Sequence, residues 1–209
     1  VQISIYCVPV HGEPEFGVST KIPATYNGIA GNYTLGIGID QEAAIFISRE
    51  TNGQPKFPCQ VRLYRLEDQI HASCTHQGTT FLRFAGNVTE TPEPTGEEFE
   101  ENEWWIKSSR AVGGKERSYD FAPHVVRVRT NGSTTHTETL DGTLTLTESS
   151  WDPYTELLPM LAPASAELVT NRHTGREITL EGPLDPEAFW PFADTIGGSR
   201  WPGTRGGPR

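Results

Sequence analysis

The stretch that decides the fold spans residues 22–57 and reads IPATYNGIAGNYTLGIGIDQEAAIFISRETNGQPKF. The apolar run at residues 43–47 within it favours a buried strand that pairs with residues 33–39. Lys56 follows this run and is walled by Phe57 and two prolines. Burial penalises the ammonium form of a lysine, and a neutral amine attacks a ketone or aldehyde to form an iminium. The stretch therefore predicts a nucleophilic Lys56, with a lysine that merely extends from a strand end into water as the alternative.

The order of residues across this stretch resembles the acetoacetate decarboxylase superfamily. The residues that carry the resemblance keep one ungapped spacing: Ile22-Pro23, Asn27-Gly28, Gly31 and Tyr33, Asp40 and Glu42, Arg49-Glu50, and Pro55-Lys56. The family's Schiff-base lysine falls on Lys56 in this spacing. The resemblance therefore implies an oligomeric enzyme that forms an imine with a small carbonyl substrate through Lys56. It also implies that neither a metal nor an organic cofactor is required.

Several neighbours of the lysine depart from the family pattern. The family has a second lysine directly after the first, and its charge helps to lower the pKa of the nucleophile, whereas this chain has Phe57. In the ungapped register, Gln2 and Gly17 stand where the family has two glutamates that line the site. Glu15 lies two residues from Gly17 on the same side of a strand, so a small shift supplies a carboxylate. Burial alone can lower a lysine pKa by about 3–5 units, so activation of Lys56 requires a dry pocket.

The sequence offers several side chains that could assist the lysine. Glu15 is the first candidate for the general acid or base, and Glu13 and His11 follow it. Aldol, dehydration or cyclisation chemistry on an iminium needs such a positioned base. Arg49 and Glu50 are candidates to bind a substrate carboxylate or to hold the turn before the lysine. Because adjacent strand residues face opposite ways, at most one of the two should point inward. The further candidates for substrate binding are Gln54, Phe57 and Tyr26.

Composition and charge disfavour several classes of function for this chain of 209 residues. Its formal net charge of -10 disfavours binding to nucleic acids and to anionic membranes, since both attract basic surfaces. No run of about 18 apolar residues occurs, so no transmembrane helix is predicted. Three cysteines without a close pair argue against a disulfide framework and against a zinc site. A cytoplasmic protein without a metal is the expectation.

The pattern along the chain predicts a mainly β (α+β) fold, with an antiparallel, barrel-like sheet and two or three short helices. Residues 61–66 and 70–75 alternate in polarity across a turn, which predicts a hairpin. Asn131-Gly132 is the strongest signal in the chain for a two-residue hairpin turn.

Helices and one loop are predicted from local signals. Asp152-Pro153 and Asp185-Pro186 each combine a capping side chain with a proline suited to the first helical position, so short helices should follow them. Seven glutamates lie between Glu90 and Glu103, counting both ends. Such a segment cannot bury itself, which predicts a solvated loop.

The length fits one domain over residues 1–196, followed by a Gly/Pro-rich tail at residues 197–209. The expected function is that of a biosynthetic Schiff-base lyase, of the decarboxylase, aldolase or dehydratase type, acting on a keto acid or related carbonyl compound. Simple decarboxylation of acetoacetate fits less well, because the family's helper residues are replaced. Two alternatives stay open: a non-catalytic β-rich protein that binds a carbonyl metabolite, and a cyclase that uses Lys56 as a cation.

Overall fold

The computed structural model describes residues 1–10, 12–113 and 118–193, the last three of them without their side chains. The strands are β1 Gln2–Val10, β2 Glu13–Tyr26, β3 Ile29–Ile39, β4 Lys56–Pro58, β5 Gln60–Leu66, β6 Gln69–His76, β7 Thr79–Glu90, β8 Glu98–Arg110, β9 Tyr119–Leu146 and β10 Ala166–Pro183. The helices are α1 Glu42–Asn52, α2 Tyr154–Leu157 and α3 Pro186–Ala193. In this part of the chain, no helix combines the length and the apolar character that a membrane span needs. The tail expected at residues 197–209 lies outside the described residues.

The strands form one mixed sheet. Its hydrogen-bonded order is β1-β2-β3-β8-β9-β7-β6-β5, with β4 beside β3 and β10 beside β9. β4 and β8 run parallel to β3, while the other pairs are antiparallel. The prediction of a mainly β fold with short helices is confirmed. The sheet does not close into a β-barrel, however, because within the described residues β1 pairs only with β2 and β5 only with β6.

Residues 42–52 form α1, so the prediction of a buried strand here is wrong. Only Ile45 of the apolar run is buried, whereas Phe46 and Ile47 are 59% and 65% exposed. A short apolar run with one inward-facing residue is compatible with a helix as well as with a strand. Periodicity alone cannot separate the two in so short an apolar run.

β9 continues without a break through Asn131-Gly132, so the predicted hairpin turn is also wrong. Gly132 lies opposite Phe99 of β8 on one side and opposite His173 of β10 on the other. A Cβ atom on Gly132 would lie 2.7 Å from the Phe99 ring and 2.7 Å from the carbonyl oxygen of Arg172. The glycine therefore permits close packing of three strands and does not mark a turn.

Most of the other local predictions are confirmed. β5 and β6 form the expected hairpin, and α3 follows Asp185-Pro186 as expected. α2 follows Asp152-Pro153, but it has only four residues and no side-chain cap, so the predicted capping role of Asp152 is wrong. Asp185 caps α3, because its Oδ1 accepts a hydrogen bond from the backbone N–H of Glu187 at 2.9 Å. The acidic segment is a loop only over residues 91–97, since residues 98–103 belong to β8.

Two clusters of buried apolar side chains cover opposite faces of β3 and β4. One cluster contains Phe57. The other is the isoleucine cluster, against which Tyr6 packs; it consists of Ile37, Ile39 and Ile45. Successive residues of a strand point to opposite faces. Lys56 precedes Phe57 and pairs with Ile37, so its side chain lies on the face of the isoleucine cluster.

Candidate active site

Strand pairing brings three polar side chains to the face that carries the isoleucine cluster. Gly17 of β2 pairs with Tyr6 of β1 and with Ile39 of β3. Glu15 lies two residues before Gly17, so it projects from the same face. Lys56 projects from that face at the start of β4. Tyr6, Glu15 and Lys56 therefore share one side of the sheet.

Gly53 turns the chain from α1 into β4 and so places Lys56. It adopts φ 67° and donates its N–H to the carbonyl of Arg49 at 2.9 Å, which closes the helix. A Cβ atom on Gly53 would lie 2.5 Å from the Cα of Lys107 in β8, so this approach requires glycine. Arg49 also donates from Nη1 to the backbone carbonyl of Lys56 at 3.5 Å. Arg49 thus contacts the backbone of the turn that carries the lysine.

Lys56 is largely secluded from water, with a side chain that is 10% exposed. Burial lowers the pKa of its amine, the charge of Glu15 acts in the opposite direction, and the charge of Arg176 lowers it again. The net direction is downward. A lowered pKa leaves more of the amine neutral at a given pH, and the neutral amine is the nucleophilic form.

Glu15 is the carboxylate that faces this amine. Its side chain is 5% exposed, and its Oε2 lies 3.7 Å from the Nζ of Lys56. That distance makes an ion pair but exceeds the length of a hydrogen bond. Oε2 has no hydrogen-bond partner among the described residues. Oε2 is therefore ion-paired with the lysine but accepts no hydrogen bond, which leaves it able to accept one beside the amine.

Arg176 of β10 supplies a second cation near the lysine. It pairs with Thr130 of β9, and its guanidinium carbon lies 5.6 Å from the centroid of the buried Trp105 ring. Its charge is close enough to lower the pKa of Lys56, although burial is the larger cause. Arg176 therefore lowers the pKa of Lys56, as a second lysine in place of Phe57 would also do.

The structure does not bring every predicted residue to Lys56. Phe57 points to the opposite face, where its ring meets that of His76 at a centroid distance of 5.1 Å. Tyr26 lies at the far end of β2, paired with Ile29. Ile29 lies eight positions, or about 26 Å of strand, before Ile37, which pairs with Lys56. Phe57 and Tyr26 are therefore not parts of this site.

The remaining candidates occupy less decisive positions. Gln54 is buried, and its backbone carbonyl accepts a hydrogen bond from the N–H of Lys56 at 2.7 Å. Glu13 and Glu50 are exposed. His11 lies outside the described residues. Of the predicted acid–base candidates, Glu15 is thus the one that the structure places beside the lysine.

A second lysine–glutamate pair joins β2 to β8. The Nζ of Lys21 lies 3.0 Å from Oε2 of Glu103. Glu103 also accepts hydrogen bonds from the hydroxyl of Thr34 and, at 2.5 Å, from the indole N–H of Trp105. Burial acts to raise the pKa of Glu103, but the charge of Lys21 and these hydrogen bonds outweigh it and lower the pKa. The carboxylate, expected in a solvated loop, is therefore a fully bonded structural group.

Sequence reasoning missed Tyr6 and Arg176. Tyr6 lies on β1 and Arg176 on β10, far from Lys56 along the chain. Neither residue stands in a local motif, and only the order of the strands shows that they belong near the lysine. A signal for Tyr6 existed in Gly17, whose missing side chain leaves room for a larger neighbour.

Comparison with solved structures identifies the same fold in several proteins. An acetoacetate decarboxylase shares 15% sequence identity at a TM-score of 0.69, over 81% of this chain and 69% of that one. An acetoacetate decarboxylase-like enzyme from Sphingomonas wittichii RW1 shares 14% identity at 0.64, over 83% and 71%. The enduracididine biosynthesis enzyme MppR shares 12% at 0.64, over 81% and 65%. The chain thus spans about two thirds of the length of these structures.

Sequence comparison gives the family itself. No curated protein matches the chain at a significant level. The acetoacetate decarboxylase family model, in contrast, matches residues 8–182. That range extends from β1 to β10 and includes Glu15, Lys56 and Arg176. This chain belongs to the acetoacetate decarboxylase family.

Proposed function

We propose that the protein is a Schiff-base-forming lyase that acts on a keto acid through Lys56. Membership of the family supports an enzyme that acts on a small carbonyl compound. The observation that carries the covalent mechanism is the buried amine of Lys56, whose pKa is lowered, 3.7 Å from a carboxylate oxygen that lacks a hydrogen-bond partner. Assembly into a homo-oligomer and a role in biosynthesis stay predictions.

Imine formation can proceed with the protons that this pair already holds. The Lys56 ammonium gives one proton to the Glu15 carboxylate, which leaves a neutral amine. The amine attacks the substrate carbonyl carbon, the C=O π electrons move to oxygen, and a proton passes from nitrogen to that oxygen. The Glu15 carboxyl group then protonates the hydroxyl, which leaves as water. The product is an iminium on Lys56 beside a carboxylate on Glu15, so charge and protons balance.

The regenerated carboxylate of Glu15 suits proton removal at the carbon next to the iminium. That step gives an enamine, the species needed for aldol-type addition, and it prepares loss of water where a leaving hydroxyl is present. MppR has been solved in complex with pyruvate and with the condensation product of pyruvate and imidazole 4-carboxaldehyde. This precedent within the fold favours aldolase or dehydratase chemistry over simple loss of carbon dioxide.

The charge distribution favours a substrate that carries a carboxylate. Glu15 repels an anion from one side of Lys56, whereas Arg176 attracts it on another. A guanidinium matches a carboxylate with two parallel N–H donors, and hydrogen bonds to charged groups contribute about 1.5–3 kcal/mol each. In the proposed complex, the carboxylate of the keto acid binds Arg176 and its carbonyl carbon faces Lys56.

Reductive trapping tests this function directly. The protein is incubated with pyruvate, 2-oxoglutarate or acetoacetate and sodium cyanoborohydride, and the adduct is followed by intact mass and located by peptide mapping. We expect one reduced adduct, on Lys56. The matched controls are Lys56→Arg, which keeps the charge but cannot form an imine, and Lys21→Arg, which removes the lysine of the other buried pair.

The outcomes separate the proposal from its alternatives. An adduct on Lys56 that disappears in Lys56→Arg and persists in Lys21→Arg supports the Schiff-base enzyme. No adduct with any keto acid, while the protein still binds one of them by calorimetry, supports the non-catalytic binding protein instead.

A further inference from the structure

The side chain of Tyr6 fills the space left by Gly17. A Cβ atom on Gly17 would lie 2.3 Å from Cζ of Tyr6 and 2.4 Å from its hydroxyl oxygen. The tip of the phenol thus sits directly over the glycine. Glycine at position 17 therefore lets the Tyr6 hydroxyl enter a space on this face of the sheet that any larger residue would close.

The phenol lies on the same face as the proposed catalytic pair. Tyr6 packs against the isoleucine cluster, in which Ile37 pairs with Lys56, and it pairs across the sheet with Gly17, two residues from Glu15. Burial raises the pKa of Tyr6, and the negative charges of Glu15 and Glu103 raise it further. The hydroxyl therefore keeps its proton at neutral pH and serves as a hydrogen-bond donor rather than as a base.

We propose that the hydroxyl of Tyr6 is a further catalytic group, which donates a hydrogen bond to the substrate's carbonyl oxygen while Lys56 attacks the carbonyl carbon. This inference rests on the proposed function of Lys56. As the N–C bond forms and the C=O π bond breaks, negative charge grows on the oxygen, and a donor aimed at that charge stabilises the transition state. The phenol keeps its proton throughout. Proton transfer therefore stays with the attacking nitrogen and Glu15.

The test compares the rate of adduct formation in Tyr6→Phe with that in the unmodified protein. The keto acid that labels Lys56 fastest is used with cyanoborohydride, and initial rates are read by intact mass across substrate concentrations. We expect Tyr6→Phe to lower the maximal rate at least tenfold while the final extent of labelling on Lys56 is kept. Tyr33→Phe is the matched control, because Tyr33 is a half-buried tyrosine, like Tyr6, that pairs with Ile22 and Trp104, away from Lys56.

A second variant displaces the phenol without removing it. Gly17→Ala puts a methyl group where the ring tip lies, so it should slow labelling as Tyr6→Phe does, and the double variant should be no slower than either single variant. Thermal unfolding checks that all variants are folded. Labelling of Tyr6→Phe at the rate of the unmodified protein would overturn the role of Tyr6 alone. Absence of any adduct in the unmodified protein would overturn Lys56 and Tyr6 together.

Discussion

The two buried lysine–glutamate pairs of this sheet differ in how completely their charges are bonded. In the pair of Lys21 and Glu103, the ions are 3.0 Å apart, and the carboxylate accepts two more hydrogen bonds from its neighbours. In the pair of Lys56 and Glu15, the ions are 3.7 Å apart, and Oε2 of Glu15 has no hydrogen-bond partner within the described chain. The exposure of all four side chains is similarly low.

Under the proposed function, this difference separates a structural pair from a reactive one. A buried charge is stabilised only when its remaining lone pairs and protons are satisfied. The Lys21–Glu103 pair meets that condition and lowers the pKa of its carboxyl group. The Lys56–Glu15 pair leaves the lysine with a lowered pKa and the glutamate with an unused acceptor. In the proposed site, a bound substrate would supply the hydrogen bond that Oε2 of Glu15 does not accept from the described residues.

The largest expected effect is on covalent labelling. Lys56→Arg should reduce the keto acid adduct below detection, because an arginine cannot form the imine, whereas Lys21→Arg should label normally. Intact mass after cyanoborohydride treatment measures both. Equal labelling of the two variants would show that the two lysine–glutamate pairs do not differ in function.

Replacement of each glutamate by glutamine should separate their roles. Glu15→Gln should lower turnover about a hundredfold, in the range of general acid–base catalysis. Since the Glu15 charge raises the pKa of Lys56, its removal should also move the onset of labelling to lower pH. Glu103→Gln should keep labelling but lower the free energy of unfolding by about 2 kcal/mol. Denaturant unfolding and a pH series of labelling rates measure these effects, and an unchanged turnover in Glu15→Gln would refute its assignment.

Arg176→Gln should weaken keto acid binding about tenfold, through loss of a charge-assisted hydrogen bond. The Arg176 charge lowers the pKa of Lys56, so its loss should raise that pKa and move the labelling onset to higher pH, opposite to Glu15→Gln. Methyl pyruvate, which lacks the carboxylate, is the control substrate and should show the pH shift without the tenfold loss. A parallel loss for pyruvate and its ester would show that Arg176 does not recognise the carboxylate.

The smallest expected effect concerns the structural pair. Thr34→Val removes one hydrogen bond to Glu103 with little change in volume. It should lower the free energy of unfolding by about 1 kcal/mol and leave the labelling rate unchanged. Chemical denaturation with parallel trapping measures both quantities. A slowed labelling rate would mean that the Lys21–Glu103 pair also serves the reaction.

The sequence supports the mainly β class, the hairpin of β5 and β6, and the capped helix α3, because each depends on local alternation or capping. It also identifies Lys56 and Glu15 as candidates, through an ordered motif and a shared strand face. α1 was missed since one buried isoleucine in a short apolar run fits two periodicities. The hairpin turn at Asn131-Gly132 was wrongly predicted, because the sequence does not distinguish a glycine that permits close strand packing from one in a turn.

The rest of the site depends on contacts between distant parts of the chain. The order of the strands, which no local pattern encodes, places Tyr6 on the face that carries Lys56 and brings the charge of Arg176 within range of the lysine. In the sequence Glu103 resembles the solvated glutamates before it, and its partial burial follows from the pairing of β8 with β3 on one side and with β9 on the other. Pairing of strands that are far apart in the sequence therefore determines which charged side chains come together.

The central claim is that the amine of Lys56 is neutral at a lower pH than an ordinary lysine, whose pKa is about 10.4. Competitive acetylation of the folded protein across pH, read by peptide mass spectrometry against Nα-acetyl-lysine amide in the same tube, measures this directly. The account predicts that the midpoint for Lys56 lies below that of the reference and falls further in Glu15→Gln. A midpoint at or above that of the reference would contradict it.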